Sequence, residues 1–311
     1  MKSIPLACPC SLKSLLTCKD KGYLCTNKQC EHNSSTNYFP VANGKPILIS
    51  ETRTDTVCSV NQSETYVVRI STRYPRLKRL FQAKSPITNV NCQRFIGEIF
   101  KNTKKPKIVV IGGGERGCGT SLLWENEALE VHSLDIYPSE SVDIICDAHY
   151  LPLQDQSYDG VWIQAVLEHV VEPAVVVNEI KRVLRMGGVV YSETPFMQQV
   201  HEGAYDFTRF TVIGHRYLFK NFELIDMGGN GGPNIVLAWS IRYFIWSLTR
   251  SRFISRVVGI SCSIILKPFN KLLSKKSLYD ASSGVFFMGS KVKGHSVTHK
   301  ELITLYKGQF Y

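Results

Sequence analysis

Between Asp226 and Asp280 the chain has no acidic residue, although it carries 26 Asp and Glu in its 311 residues. Arg242, Arg250, Arg252, Arg256, Lys267, Lys271, Lys275 and Lys276 all fall inside this gap and supply much of the net charge of +11. The same stretch lacks a long unbroken apolar run. Ile235–Trp246 is interrupted by Arg242, well short of the roughly 20 apolar residues a spanning helix needs. Two arrangements satisfy a segment that is both basic and apolar. One is a pair of amphipathic helices lying on an anionic membrane surface; the other is an apolar helical cap over a substrate pocket, with its basic face in water. No nucleic acid is expected as a partner, because no recognised binding module accompanies the charge. Internal repeats and low-complexity tracts are also missing, which excludes solenoids and arrays.

What the chain does have is an apolar strand running into a glycine-rich turn, Lys107-Ile-Val-Val-Ile-Gly-Gly-Gly-Glu-Arg-Gly-Cys-Gly-Thr120. Gly112, Gly113, Gly114 and Gly117 let the backbone turn tightly and bring amide N–H groups up to a polar ligand, ahead of a helix-compatible segment. A second apolar run, Leu129-Glu-Val-His-Ser-Leu-Asp135, ends on a carboxylate able to accept both hydroxyls of a ribose. Together these features place an adenosine. Gly112-x-Gly114-x-x-Gly117 also satisfies the dinucleotide fingerprint, so the choice of cofactor falls to the residues beyond Asp135.

There the chain reads Asp147-Ala-His-Tyr-Leu-Pro152, then Leu167-Glu-His-Val170, then Glu179-Ile-Lys-Arg-Val-Leu-Arg-Met-Gly-Gly188. In that order these motifs resemble the class I S-adenosylmethionine-dependent methyltransferases, in particular the bacterial Leu-Glu-His-Val subgroup. The resemblance implies that Gly112, Gly113 and Gly114, with Gly117 closing the turn, face the methionine half of the cofactor. It implies Asp135, with Ile136 after it, at the ribose; Asp147 and Ala148 at the adenine amino group; and Gln164 beside the sulfonium. One position departs: many members carry an acid two residues before the first glycine, where this chain has Val110. The implied activity is methyl transfer from S-adenosyl-L-methionine to a small-molecule or a lipid- or glycan-linked acceptor. Two other classes stay open on the same residues, a non-catalytic membrane-peripheral binding protein and, third, an NAD-linked oxidoreductase, which the motifs after Asp135 disfavour.

The resemblance also implies the fold: a doubly wound α/β, Rossmann-like sheet of seven strands with the last antiparallel. Periodicity places the strands at Ile108–Ile111, Val131–Asp135, Asp143–Cys146, Gly160–Gln164, Val189–Glu193, Phe222–Met227 and Val285–Ser290. The catalytic domain is expected over 107–311, with 227–280 as a basic apolar helical insertion. Residues 51–106 read as a connector, with a basic stretch around Arg73, Arg76, Lys78 and Arg79 and a capped lid helix over Asn91–Phe100.

Residues 1–50 differ from the rest, since five of the ten cysteines lie at 8, 10, 18, 25 and 30. Met1–Cys8 has too short an apolar run for a secretion signal, so the expected setting is cytoplasmic, with peripheral contact at the inner membrane surface, and the thiols reduced. Reduced pairs point to structural zinc held by Cys8, Cys10, Cys25 and Cys30. The segment resembles the small zinc ribbons fused to or partnered with methyltransferases. Its first knuckle is one residue shorter than the usual Cys-Pro-x-Cys, so Cys18 or His32 could replace a ligand.

The loop after the fifth strand carries the remaining chemistry. Ligands of open α/β sheets sit beyond the carboxyl ends of the strands, and here His201, Tyr205, Asp206 and Arg209 supply a base, an aromatic wall and a charge pair within nine residues. The resembling bacterial proteins share its His-x-x-x-x-Asp-Phe-x-Arg-Phe-Thr pattern. Asp206 with Arg209 reads equally as a turn closed by a structural ion pair. His169 joins the candidates, with packing over the cofactor loop as its alternative role. Because the sulfonium is already electrophilic, the chemistry asks mainly for alignment and a base, and no fixed triad is expected.

Overall fold

The computed structural model describes residues 3–10, 13–19, 22–34, 36–50, 57–58 and 86–309. The basic stretch around Arg73, Arg76, Lys78 and Arg79 lies outside the described residues. Strands and helices are numbered along the described chain.

The central strands β5 (Lys107–Ile111), β6 (Glu130–Asp135), β7 (Ile144–Cys146), β8 (Tyr158–Gln164) and β9 (Leu184–Pro195) pair in parallel in the order β7-β6-β5-β8-β9. Beyond β9 lie β11 (Gly284–Ser290) and then β10 (Glu223–Asn230), with β11 antiparallel to both neighbours. The expected seven-stranded sheet with its last strand antiparallel is therefore present. Each expected strand lies within about two residues of its observed counterpart, apart from β9, whose run is longer at both ends, and β10, which runs three residues past the expected end at Met227.

The sheet separates two apolar layers because successive side chains point to opposite faces. Ile108, Val110, Trp162, Val189 and Tyr191 pack under α1 (Pro86–Phe100) and α2 (Ser121–Glu125). Val109, Ile111, Val161, Ile163 and Val190 pack on the other face with Val176, Val177, Ile180 and Val183 of α3 (Pro173–Val183). α1 begins at Pro86 rather than Asn91. Asn91 is an interior helix residue, buried, and its amide donates to the Tyr191 hydroxyl at 3.4 Å. α3 stops at Val183, before Gly187 and Gly188, which lie inside β9; Gly187 there takes φ +77°.

The N-terminal residues build a meander, β1 (Leu16–Lys19), β2 (Gly22–Cys25), β3 (Phe39–Ala42) and β4 (Lys45–Leu48), each antiparallel to the next. β4 then lies parallel to β7, pairing Ile47 with Ile145 and Leu48 with Cys146, and so extends the central sheet to eleven strands. This pairing covers an edge that would otherwise present open backbone groups. The Ala7 amide donates to the Pro152 carbonyl at 3.0 Å and Lys13 pairs with Glu179 at 2.9 Å, so the N-terminal residues also rest on the loop after β7 and on α3.

After β10 the chain forms a helical hairpin, α5 (Pro233–Thr249) and α6 (Arg252–Leu266), followed by a 3-10 turn and α7 (Lys275–Asp280). α4 (Val212–Leu218) and α8 (His299–Thr304) complete the helices. Among the described residues one helix, Arg252–Asn270, is long and apolar enough to cross a membrane by length and composition; it lies beyond the Arg242 interruption noted in the sequence.

Candidate functional site

The glycine turn leaves β5 at the point where strand order reverses between β6 and β8, the place an open α/β sheet offers a ligand. Its glycines are required by what they touch. A Cβ on Gly113 would stand 2.0 Å from the Ser133 hydroxyl and one on Gly117 2.3 Å from Gln164 Oε1, while Gly112 takes φ +76° against Val166. Gly114 is the most informative: its amide donates to Asp135 Oδ2 at 2.8 Å, and a Cβ there would meet the same oxygen at 2.6 Å. Asp135 Oδ1 accepts from the Tyr137 amide at 3.0 Å. The predicted ribose acid is thus held against the predicted cradle by the backbone. A carboxylate has about four acceptor positions, so these two amide bonds are compatible with a ribose diol.

Asp147 is buried and caps the short turn Ala148–Tyr150, its Oδ1 accepting from the His149 amide at 2.9 Å and lying 2.6 Å from His149 Nδ1. Ile136 lies beside the Ile47, Ile49, Val142 and Ile145 cluster at the far edge. Gln164 ends β8, where its amide donates to the Cys118 carbonyl at 3.4 Å and so ties the strand to the glycine loop. A pocket between β5, β8 and α2 is lined by Gly112, Gly117, Thr120, Trp124, Trp162 and Gln164. Of the residues assigned to the cofactor it takes in Gly112, Gly117 and Gln164, while Gly113, Gly114, Asp135, Asp147 and Ala148 are not in its lining. Arg182, in the third motif, reaches the Leu151 and Leu153 carbonyls and Asp155, fixing the loop that carries Asp147.

Two carboxyl groups at the strand ends had no role in the sequence reading. Glu193, partly accessible, accepts from the hydroxyls of Thr88 at 2.9 Å and Tyr191 at 2.8 Å and from the Asn230 amide. Burial pushes its carboxyl above the usual range, against those donors. Apart from Tyr191 on its own strand, its partners come from α1 and β10, which no local pattern could disclose. Glu168 is fully buried after β8, on the opposite face, where Thr194 donates to its Oε2 at 3.1 Å; burial raises its pKa as well.

His201, Asp206, Arg209 and His169 do come together. Both oxygens of Asp206 bond the Arg209 guanidinium, and Oδ2 also accepts from the His201 amide at 3.0 Å. These bonds hold the Asp206 carboxyl down, to about 2. Arg209 also donates to the Gln198 and Thr208 carbonyls. Asp206 and Arg209 therefore shape the loop, which brings the His201 ring to 4.9 Å from that of His169 in the turn after β8. Tyr205 is exposed, and its carbonyl lies 2.7 Å from His169 Nδ1.

In the meander, one sulfur from each of Cys8, Cys10, Cys25 and Cys30 lies within 4.8 Å of the others. The Cys8 and Cys30 sulfurs are 3.8 Å apart, about the edge of a tetrahedron with Zn–S bonds of roughly 2.3 Å. Four thiols of this geometry fit zinc. Cys18 lies on exposed β1, and His32 is taken up by Asn37 at 3.0 Å, Ser50 at 3.3 Å and the Phe39 ring, so neither replaces a ligand in the cluster. Burial raises the free thiol of Cys8 and pushes that of Cys30 up to about 11.

Residues 111–192, from the end of β5 into β9, match a family model described as a methyltransferase domain. Over these residues the chain carries a methyltransferase domain. No curated protein matches the chain. Among solved structures, the domain is similar to phosphoethanolamine N-methyltransferase 2 of Haemonchus contortus in complex with phosphomonomethylethanolamine and S-adenosylhomocysteine. That match has 16% identity and a TM-score of 0.40, over 65% of this chain and 53% of that one. It is similar to coclaurine N-methyltransferase bound to N-methylheliamine and S-adenosylhomocysteine, at 9% identity and a TM-score of 0.42, over 66% and 70%. It is also similar to a protein of Galdieria sulphuraria assigned as a sarcosine dimethylglycine methyltransferase, at 14% identity and a TM-score of 0.44, over 66% and 86%. The motifs that set this methyltransferase domain apart from the dinucleotide folds, Asp147 to Leu153 and Leu167 to Val170, both lie inside the matched residues.

Proposed function

We propose that the domain transfers a methyl group to a small-molecule or a lipid- or glycan-linked acceptor at the surface of an anionic membrane. The observation that carries the reading is the neighbourhood of the acceptor loop. Tyr243 of α5 donates to the Val200 carbonyl at 3.2 Å and Gln199 donates to Ser240 at 3.4 Å, so the hairpin adjoins the loop that presents His201. Within the hairpin only Ala238, Ser255 and Gly259 are buried. Phe253 is 77% and Ile265 65% exposed, and Leu272 just beyond is 80% exposed. Exposed apolar side chains on a segment whose only charges are cationic are the combination that anionic lipid recognises.

In this reading the glycine loop and Asp135 orient the cofactor, which supplies an electrophilic methyl group, while Gln164 and the walls of the Trp124 and Trp162 pocket exclude water from it. The meander holds one zinc ion through Cys8, Cys10, Cys25 and Cys30, which clamps it beside the loop carrying Asp147. The test is calorimetric titration of purified protein with S-adenosylmethionine and with NAD, then methyl-labelled S-adenosylmethionine with vesicles bearing extracted lipids. Saturable binding of the first cofactor alone, and label entering the lipid fraction, are the expected results. Label found only in water-soluble products would overturn the membrane part.

A further inference from the structure

Three side chains from two segments converge beyond the carboxyl ends of β8 and β9. Glu168 comes from the short turn after β8. Its Oε2 is bonded to Thr194, but Oε1 is enclosed and has no hydrogen-bond partner among the described residues. A buried carboxylate oxygen without a donor is unfavourable by about 1–3 kcal/mol or more unless something positive meets it. His169 Nε2 stands 3.7 Å from that oxygen. His201, from the loop after β9, completes the group, and one donor atom of each residue lies within 4.8 Å of the others.

The polar contacts on the far sides of the rings bear on what the near sides offer. His169 Nδ1 is 2.7 Å from the Tyr205 carbonyl, which can only accept, so Nδ1 carries the hydrogen and Nε2 keeps its lone pair. His201 Nδ1 stands 3.3 Å from Asp206 Oδ2, an ionised group fixed by Arg209, whose negative charge favours the hydrogen on Nδ1 and the lone pair on Nε2. Two imidazole lone pairs and a carboxylate oxygen then share one small space. Three acceptors gathered without a donor repel one another; a cation between them removes the conflict. Carbonyl and carboxylate partners on the outer nitrogen are the arrangement that orients histidines toward a metal. The Arg209 charge is matched by Asp206, so it does not block a cation.

We propose that Glu168, His169 and His201 bind a divalent transition-metal ion, with the Tyr205 carbonyl and Asp206 positioning the two rings. Two imidazoles and one carboxylate suit the ions from manganese to zinc better than magnesium or calcium, and three ligands leave positions open for water or for an oxygen of the acceptor. The site is separate from the four cysteines and goes beyond the methyl-transfer reading, since its test needs no cofactor.

The test is titration with Mn(II) followed by electron paramagnetic resonance, because manganese disfavours the thiolates of the cysteine cluster. The parent should bind about one ion per chain at this site. Glu168→Gln and His201→Ala should each weaken binding at least about tenfold, and Asp206→Asn by roughly 10–100-fold through loss of ring orientation. His201 is exposed in its loop, so His201→Ala should keep the parent's melting temperature even if Glu168→Gln does not fold. A parent that binds no Mn(II), or a folded His201→Ala that binds it as the parent does, overturns the proposal. Either result leaves the S-adenosylmethionine reading where the calorimetry puts it.

Discussion

Replacing Asp135 with alanine separates a ribose anchor from a loop fastener, since Asp135 can be both. Its carboxylate accepts the Gly114 and Tyr137 amides at 2.8 and 3.0 Å, and the expected ribose hydroxyls would approach the same group. A hydrogen bond to a charged group contributes about 1.5–3 kcal/mol, and less where water can compete. Removing two such bonds to the cofactor at this partly exposed site should weaken S-adenosylhomocysteine binding by about 3 kcal/mol, or roughly 100-fold. Loss of the two amide bonds should lower stability by about 1–2 kcal/mol, a fall in Tm of only a few degrees for a chain of this size. Calorimetric titration and thermal unfolding on the same samples read the two effects separately. Asp135→Asn, which keeps one acceptor oxygen, should fall between parent and alanine variant in both. An Asp135→Ala protein with lowered Tm but the parent's Kd would refute the ribose role and leave the residue as a fastener for the glycine loop.

Metal analysis of protein purified without chelator should show one zinc per chain in the cysteine cluster, lost in Cys25→Ser; a metal-free chain of equal stability would refute that site. Binding to anionic vesicles should weaken as salt rises, and Arg252→Glu with Arg256→Glu should weaken it further, each reversed cation removing roughly 1 kcal/mol; indifference of the parent to such vesicles at low salt would make the hairpin a pocket cap. His215 is buried beside Ser192, with its ring against Phe219 and Phe287, and burial pushes its pKa from 6.5 down to about 3. The unfolded chain takes up this proton below about pH 6.5 and the folded chain does not, so the contribution is complete above that pH and is lost on acidification at up to about 1.4 kcal/mol per pH unit. Urea unfolding at about pH 7 and about pH 5 should show this slope in the parent and a flatter one in His215→Leu. Equal slopes would place the acid sensitivity elsewhere.

The sequence by itself determined the strands, the glycine turn and the acid after β6, because these are local. Alternating and continuous apolar runs specify which faces are buried, and a turn with Gly112 at φ +76° admits few other residues. The order of motifs was likewise enough to separate one nucleotide fold from another. Tertiary structure decided what those faces meet. Leu48 gives no local sign that its strand will join Cys146 at the edge of the central sheet. Glu193 acquires meaning only with Thr88 and Asn230, which are 105 and 37 residues away. Asp206 and Arg209 read in the sequence equally as reactive groups or as a structural ion pair; folding turns their charges on each other, and His169 and His201 lie together beside Glu168. Periodicity records that a side chain is buried; its protonation, its partner and its chemistry depend on groups that only chain folding brings within a few ångströms.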